Sequence, residues 1–455
     1  MQIIALLIIA LTVFMVIRRY QTHATLFLSG FALLITAHVA GVVTGESGEA
    51  ESITGLFAFD LFAMVSEAFS SRVARIGMII MAAGGFARYM SAISASTALV
   101  QLSTRPLSRV SNPYTLLAIT YVAGQFLNIF IPSAAGLAML LLVAMYPTLV
   151  QLGIRPVAAA AVIGTTACLD LGPASAASNV AAETIGISPI EYFVRHQLRV
   201  SVVVIPVVAV LHFFWQRHCD RVEPEPSGQK LQDLQDIEAD QESAPRLYAL
   251  LPILPLVLLF VFSPLVMKTI RLDVVTAMLI SLAVGMSCEA VRHRSLRDAL
   301  GGIVHFFKGM GDIFATVVTL IVAAGIFAEG VKATGLIDSL VALVEGLAMG
   351  SGVMAVALVL LLGLTALLTG SGNAALFSFA GMIPGIASRM NAPVLSLILP
   401  SQLAGGLFRS VSPVAGVIIA VAGAARVTPF DIVKRTSVPM IGGVIATLVA
   451  SHFLL

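Results

Sequence analysis

An all-α polytopic membrane protein built from two inverted repeats, with about ten transmembrane helices and two re-entrant hairpins, is the fold class predicted by the 455-residue sequence. Three observations carry it: the composition, the placement of the few charges, and a long-range self-similarity. Hydrophobic residues make up 58% of the chain and charged residues 11%, with a mean hydropathy of +0.99. A soluble chain carries about 25% charged residues, so a soluble enzyme is excluded. Of the 50 charged residues, 12 lie between Arg217 and Arg246, and the remaining chain reads as one membrane body.

The spans follow in order. Apolar stretches long enough to cross the hydrocarbon layer occur near 1–17, 24–44, 76–93, 156–187, 198–215, 247–267, 272–291, 313–332, 393–425 and 437–455. Two further apolar regions, 113–150 and 352–391, carry small polar tips between arms too short to span, and are expected to be re-entrant hairpins. Met1 to Ile17 is apolar before its first base, the reverse of a signal peptide, and is expected to be the first span.

Orientation comes from the loops. Arg18, Arg19 and His23 follow the first span, and Glu46, Glu49 and Glu51 the second. The positive-inside bias then places the first loop in the cytoplasm and the N-terminus outside. Alternation puts Arg105, Arg109, Arg155, the 217–246 segment, the Arg292, Arg294, Arg297 cluster, and Arg426, Lys434 and Arg435 inside. Lys268, Arg271, Arg195 and Arg199 run against the bias. The 217–246 segment has 8 acids against 4 bases and no apolar periodicity, so a cytoplasmic acidic linker is expected between a first repeat, 1–216, and a second, 247–455. The remaining positive charge is too scattered for a nucleic-acid partner, which leaves membrane lipid as the surroundings. Cys168, Cys219 and Cys288 show no CxxC spacing, so neither a disulfide scaffold nor a zinc ribbon is expected.

The self-similarity appears at a shift of 240 positions, which aligns Pro173 with Pro413, Ser188-Pro189 with Thr428-Pro429, Glu191 with Asp431, Arg195 with Arg435, and His212-Phe213 with His452-Phe453. Upstream the shift is 237 at Pro147 and Pro156, and 241 at Ala82-Ala83-Gly84. Five spans per half with the linker inside make the halves inverted, an architecture of secondary carriers. Duplicated folds also occur in channels.

Carriers of this kind place substrate where helices are interrupted. Four interruptions are visible, two in each half. The tips are Ile131 to Gly136, with Ser133, and Leu368 to Ala374, with Thr369, Gly370, Ser371, Gly372 and Asn373. The mid-span breaks are Asp170 to Ser175 with Ser178 and Asn179, around Pro173, and Arg409 to Gly416, with Ser410, Ser412 and Pro413. Proline removes a backbone hydrogen bond and unwinds the helix. Small residues and prolines also serve simple packing in membrane helices.

Arg409 is a guanidinium in an otherwise uncharged span, at an insertion cost of about 2.5–3.5 kcal/mol, and its planar fork suits a carboxylate. Asp170 has four available roles: pairing with Arg409, binding a coupling cation, carrying a proton, or capping the next half-helix. No metal-ligand spacing, Walker sequence or nucleophile–base pair is present. Neither a metal nor an organic cofactor is expected, and a membrane enzyme is the weakest reading.

At these residues the sequence resembles the DcuC family of anaerobic four-carbon dicarboxylate carriers, within the wider ion-transporter superfamily. Thr369-Gly-Ser-Gly-Asn-Ala374 is similar to that family's second hairpin tip, and RSVSPVAGVIIAVAGAARVTPFDIVKRTSV from Arg409 to Val438 to its C-terminal signature. VAAGIFAEG at 322–330 and HFFWQ at 212–216 add to the likeness. The first break departs from the family pattern, reading Ala-Ser-Ala-Ala at 174–177 with its acid at Asp170 and an amide at Asn179.

The resemblance implies a bacterial inner-membrane transporter of succinate, fumarate, malate or aspartate, working by exchange, efflux or coupling to a sodium ion or proton. It also implies a homodimer with a fixed scaffold and a moving transport domain, an elevator. The substrate-binding candidates are Ser133, Gly136, Pro173, Ser175, Asn179, Thr369, Gly370, Ser371, Gly372, Asn373, Arg409, Ser410, Ser412 and Pro413, with Asp170 and Ser178 for the coupling ion.

Overall fold

The computed structural model describes residues 2–18, 20–39, 54, 56–105, 107, 110, 112–222, 244–263, 266–267, 269–270, 272–335 and 351–455. Arg19, Arg109, Lys268, Arg271, the loop with Glu46, Glu49 and Glu51, and linker residues 223–243 lie outside the described residues. Every regular element among the described residues is helical.

The first half contains α1 (Gln2–Ile17), α2 (Thr22–Val39), α3 (Phe57–Arg72), α4 (Met78–Ala92), α5 (Ala95–Thr104), α6 (Pro113–Asn128), α7 (Ala134–Ala144), α8 (Tyr146–Gln151), α9 (Pro156–Gly164), α10 (Ala176–Ile185), α11 (Pro189–Tyr192) and α12 (Leu198–Val222). The second contains α13 (Leu254–Val261), α14 (Val274–His293), α15 (Leu296–Gly301), α16 (Ile303–Ile313), α17 (Thr319–Ala333), α18 (Ser351–Thr369), α19 (Gly372–Ala380), α20 (Ile383–Arg389), α21 (Val394–Arg409), α22 (Gly416–Ala425) and α23 (Pro429–Leu454).

By length and composition, six helices among the described residues can cross a membrane, or seven if α4 and α5, bent by 76°, form one span. The expected stretches 156–187 and 393–425 are each a pair of helices around a non-helical break, and 247–267 holds a helix of only eight residues. α3 and α4 are joined through a π segment, Val73–Gly77, and α16 and α17 through another, Phe314–Val318. Both helices therefore begin well before the apolar stretches at 76 and 313. Asp60 and Glu67 in α3, and His305, Lys308 and Asp312 in α16, lower the hydropathy of the first halves and hide them from an apolar-run search.

Local chemistry sets the starts. Asn112 Oδ1 accepts from Thr115 N at 3.1 Å to cap α6, and Pro113 follows where its missing N–H costs nothing. Ser188 caps α11 through Glu191 N at 3.3 Å. Thr428 caps α23 through Asp431 N at 3.2 Å. In the last two an acid in the first turn, Glu191 or Asp431, adds favourable charge to the helix N-terminus.

Packing sorts the helices into two groups. α2 lies along α17, and α4 along α16 and α14, while α12 lies along α23, α21 along α18 and α23, and α22 against α7 and α9. The second group is fastened by a buried charge cluster. Arg435 in α23 is 1% exposed and donates through Nη1 to Asp220 Oδ1 at 2.5 Å. Tyr114 Oη donates to Asp220 Oδ2 at 3.0 Å, and Arg155 Nη2 to the Asp220 carbonyl at 2.8 Å. Asp220, through its carboxylate and its backbone carbonyl, thus ties α12 to α6, α23 and the start of α9. Residues 217–222, read from sequence as the start of the tether, are the last turns of α12, and Arg435, read as a loop charge, is an interior residue.

Candidate functional site

The four interruptions meet in pairs. Asn128, the last residue of α6, accepts from Leu171 N through Oδ1 at 3.3 Å and donates through Nδ2 to Ile131 O at 3.3 Å. The first tip is thereby held on the first break. Pro132 and Pro173 line one small pocket with Phe130 and Pro252. In the second half, Ser412 Oγ donates to Leu367 O at 2.5 Å, fixing the second break to the end of α18. Gly370, at φ +72°, lies so close to this break that a Cβ would sit 2.7 Å from Val414 O and 2.8 Å from Ala415 Cα. Gly370→Ala therefore adds left-handed strain to a backbone collision. It is expected to cost about 1–3 kcal/mol of stability and to slow transport, as thermal unfolding and flux assays on the purified protein will read.

The two breaks then meet each other. α21 ends at Arg409, whose Nη1 donates to Asp170 Oδ2 at 3.2 Å and whose Nη2 donates to Ala167 O at 2.7 Å. Both side chains are largely shielded, at 12% and 16% exposure. A cation beside two interrupted helix ends is favoured because carbonyls there lack intrahelical partners. Gly406 permits the approach, since a Cβ there would sit 2.2 Å from Cys168 O. Arg409 Nε is buried and has no acceptor among the described residues.

Beneath the ion pair lies a network of uncharged amides. Gln402 Nε2 donates to Leu169 O at 3.1 Å, and its Oε1 accepts from Gln197 Nε2 at 2.8 Å and Tyr192 Oη at 3.3 Å. Gln197 Oε1 in turn accepts from Gly172 N at 3.2 Å. This network holds Asp170 at φ +48° and Gly172 at φ +98°. Sequence reasoning missed Gln402, Gln197 and Asn128; a rare amide inside an otherwise apolar helix is the signal that could have found them, because a buried amide needs partners.

The remaining candidates divide by what their groups already bond. Ser178 Oγ donates to Asp170 O at 3.0 Å and accepts from Gln197 Nε2 at 2.8 Å, so it braces the break. Asn179 Nδ2 bonds Pro173 O and Ser175 O at 2.8 and 2.7 Å. Ser410 Oγ returns to Gly406 O at 2.9 Å. Thr369 Oγ1 accepts from Ser371 N at 3.2 Å. Ser133, Ser175 and Ser371 each cap the half-helix that follows. Ser133 and Gly136 stand on the exposed side of the first tip, away from Arg409's recorded partners. Gly372 packs against Gly405, and Pro413 is half-buried in the turn of the second break.

Two half-helices, α10 and α22, point N-termini out of the breaks, and α22 has no side-chain cap at Ala415. Asn179 Oδ1 and Asn373 Oδ1 are buried without a donor among the described residues. The arrangement therefore offers a guanidinium and helix N-termini to an anion, and carbonyl oxygens and a carboxylate to a cation.

Paired interruptions joined by an ion pair inside an apolar helical body define a multi-pass membrane transporter. The YdaH transporter of Alcanivorax borkumensis has the same fold, with a TM-score of 0.63 at 16% identity over 94% of this chain and 97% of that one. The chain belongs to the DcuC family: the family model, described as C4-dicarboxylate anaerobic carrier, matches residues 1–454. It is 34% identical to the anaerobic C4-dicarboxylate transporter DcuC of Escherichia coli K12, over 96% of this chain and 93% of that protein. It is also 34% identical to the probable anaerobic C4-dicarboxylate transporter DcuC of Vibrio cholerae, over 97% and 95%. The protein is a carrier and not an enzyme.

Proposed function

We propose that the chain is a secondary active transporter that moves C4-dicarboxylates such as succinate, fumarate, malate and aspartate across the bacterial inner membrane, by exchange, efflux or cation-coupled transport. One observation carries the reading. Arg409 stands where the two broken helices meet, with its Nε–H turned to no acceptor among the described residues, and a carboxylate supplies the acceptor a guanidinium lacks. The uncapped N-terminus of α22 favours the same sign of ligand. The names of the relatives supply the four-carbon class.

Alternating access follows from two inverted copies trading conformations. Two of the three π segments among the described residues, Val73–Gly77 and Phe314–Val318, stand 241 positions apart, and the Ser188 and Thr428 caps 240 apart; both spacings match the shifts at which the sequence repeats, and support duplication. The group holding the tips and breaks is the transport domain of an elevator, and the group around α2, α4, α16 and α17 its scaffold, paired in a homodimer. The linker lies in the cytoplasm and the N-terminus in the periplasm. Asp170, with the free carbonyl oxygens of Asn179 and Asn373, is the place for a coupling sodium ion or proton.

Proteoliposomes loaded with succinate are expected to take up labelled fumarate, and this uptake to vanish when the internal succinate is omitted or replaced by a monocarboxylate. Uptake that ignores internal dicarboxylate, or a conductance far above carrier turnover, contradicts exchange.

A further inference from the structure

The outer face of the α12 and α23 pair changes chemistry abruptly. On α12 the exposed residues run Val207, Val210 and Phe214, then Arg217, His218 and Arg221. These positions recur every three or four residues and so share one face of the helix. Leu211 meets Gly442 and Val208 meets Gly443, so the two helices run antiparallel. Followed toward the same end, the exposed stripe of α23 is Ile445, Ile441 and Val438, then Lys434. Apolar side chains match the hydrocarbon layer and charged ones the headgroup layer, so both helices leave the hydrocarbon at the same height.

Trp215, the only tryptophan of the chain, marks that height. Its indole Nε1 donates to Lys434 O at 3.3 Å, and its ring stacks on His218 with centroids 5.7 Å apart. An aromatic ring with a polar tip settles at the boundary between hydrocarbon and headgroups. The acids of this helix end are turned elsewhere: Asp220 faces inward to Arg435 and Tyr114, and Asp431 accepts from Thr428 Oγ1 at 2.6 Å. Arg217, Arg221 and Lys434 are left exposed around the tryptophan, with no acid partner among the described residues.

We propose that this seam binds the headgroup of an anionic phospholipid. Its phosphate lies among Arg217, Arg221 and Lys434, and its acyl chains run along Val210 and Phe214 on one side and Val438 and Ile441 on the other. Charge and apolar surface are thus matched by one molecule, at the level where a bilayer supplies it. A zwitterionic headgroup brings its own ammonium to the same bases and gains less. The lipid bridges α12 and α23 from outside, across the seam that Asp220 and Arg435 fasten within.

The single tryptophan makes the test specific to this place. Purified full-length protein is reconstituted in phosphatidylcholine vesicles that contain either brominated phosphatidylglycerol or brominated phosphatidylcholine, and quenching of Trp215 fluorescence gives the relative affinity of the two lipids. Phosphatidylglycerol is expected to bind about fivefold or more tightly in wild type, with the preference shrinking as salt is raised. Arg217→Gln, Arg221→Gln and Lys434→Gln combined should bring the ratio close to one, while Arg217→Lys, Arg221→Lys and Lys434→Arg combined should keep it. An unchanged Trp215 emission maximum and unfolding temperature show that the glutamine variant folds; if it does not, the wild-type ratio and its salt dependence decide alone. Equal quenching by the two lipids in wild type, a salt-independent preference, or an undiminished preference in the folded glutamine variant overturns the proposal. None of these readings depends on which solute the protein carries.

Discussion

Arg409→Ala is expected to abolish succinate exchange. Truncating one member of a shielded, hydrogen-bonded charge pair costs about 3–5 kcal/mol of stability, and the same change removes the donor proposed for the substrate. Part of that cost is the stranded Asp170 carboxylate, which loses its 3.2 Å partner. Arg409→Ala with Asp170→Ala removes that penalty, so the double variant should recover stability and still fail to transport. Flux in proteoliposomes, set beside thermal unfolding of the same preparations, separates the two effects. Transport at the wild-type rate in either variant would sink the role of Arg409.

The second large effect is structural. Asp220→Ala leaves Arg435, 1% exposed, as a buried charge without its carboxylate, and loss of one partner of such a pair costs about 3–5 kcal/mol. It also releases the Tyr114 hydroxyl, so α12, α6 and α23 lose a common fastening point. Asp220→Asn keeps an acceptor oxygen and is expected to lose less. The Ala variant should therefore unfold at clearly lower temperature than the Asn variant, and both below wild type; an Ala variant that unfolds with wild type contradicts the fastening role.

What the sequence made legible was governed by rarity. In a chain with 11% charge, an arginine next to Ser-Val-Ser-Pro and an aspartate next to Gly-Pro stand out, and the structure brings those two together. Pairing was one of four roles open to Asp170, because sequence carries no distance between residues 239 positions apart. Gln402 and Asn128 stayed hidden because they are uncharged and sit in apolar helices, and Gln197 because Arg195, His196 and Arg199 around it make it look like one more polar residue at a span end; only three-dimensional bonding shows what they hold. Asp220 was hidden for the opposite reason. Surrounded in sequence by acids of the tether, it looked like one more solvated charge, although helix geometry places it one turn beyond Gln216 and against α23. The first half of the 57–92 helix was invisible because its polar residues resemble a loop when averaged over a window, while its packing against α17 is a property of one face.

The π segment at Val73–Gly77 holds one residue more than an α-helix needs to cover the same height. Each residue turns a helix by about 100°, so everything ahead of the segment faces a different direction from the one its spacing to α4 would give. Arg72 owes its heading toward Gly325 to that surplus residue. Deleting one residue from 73–77 would leave composition and charge almost untouched and swing the guanidinium about a quarter turn away. The position of that charge is thus set by the length of the segment and not by the identity of the arginine alone.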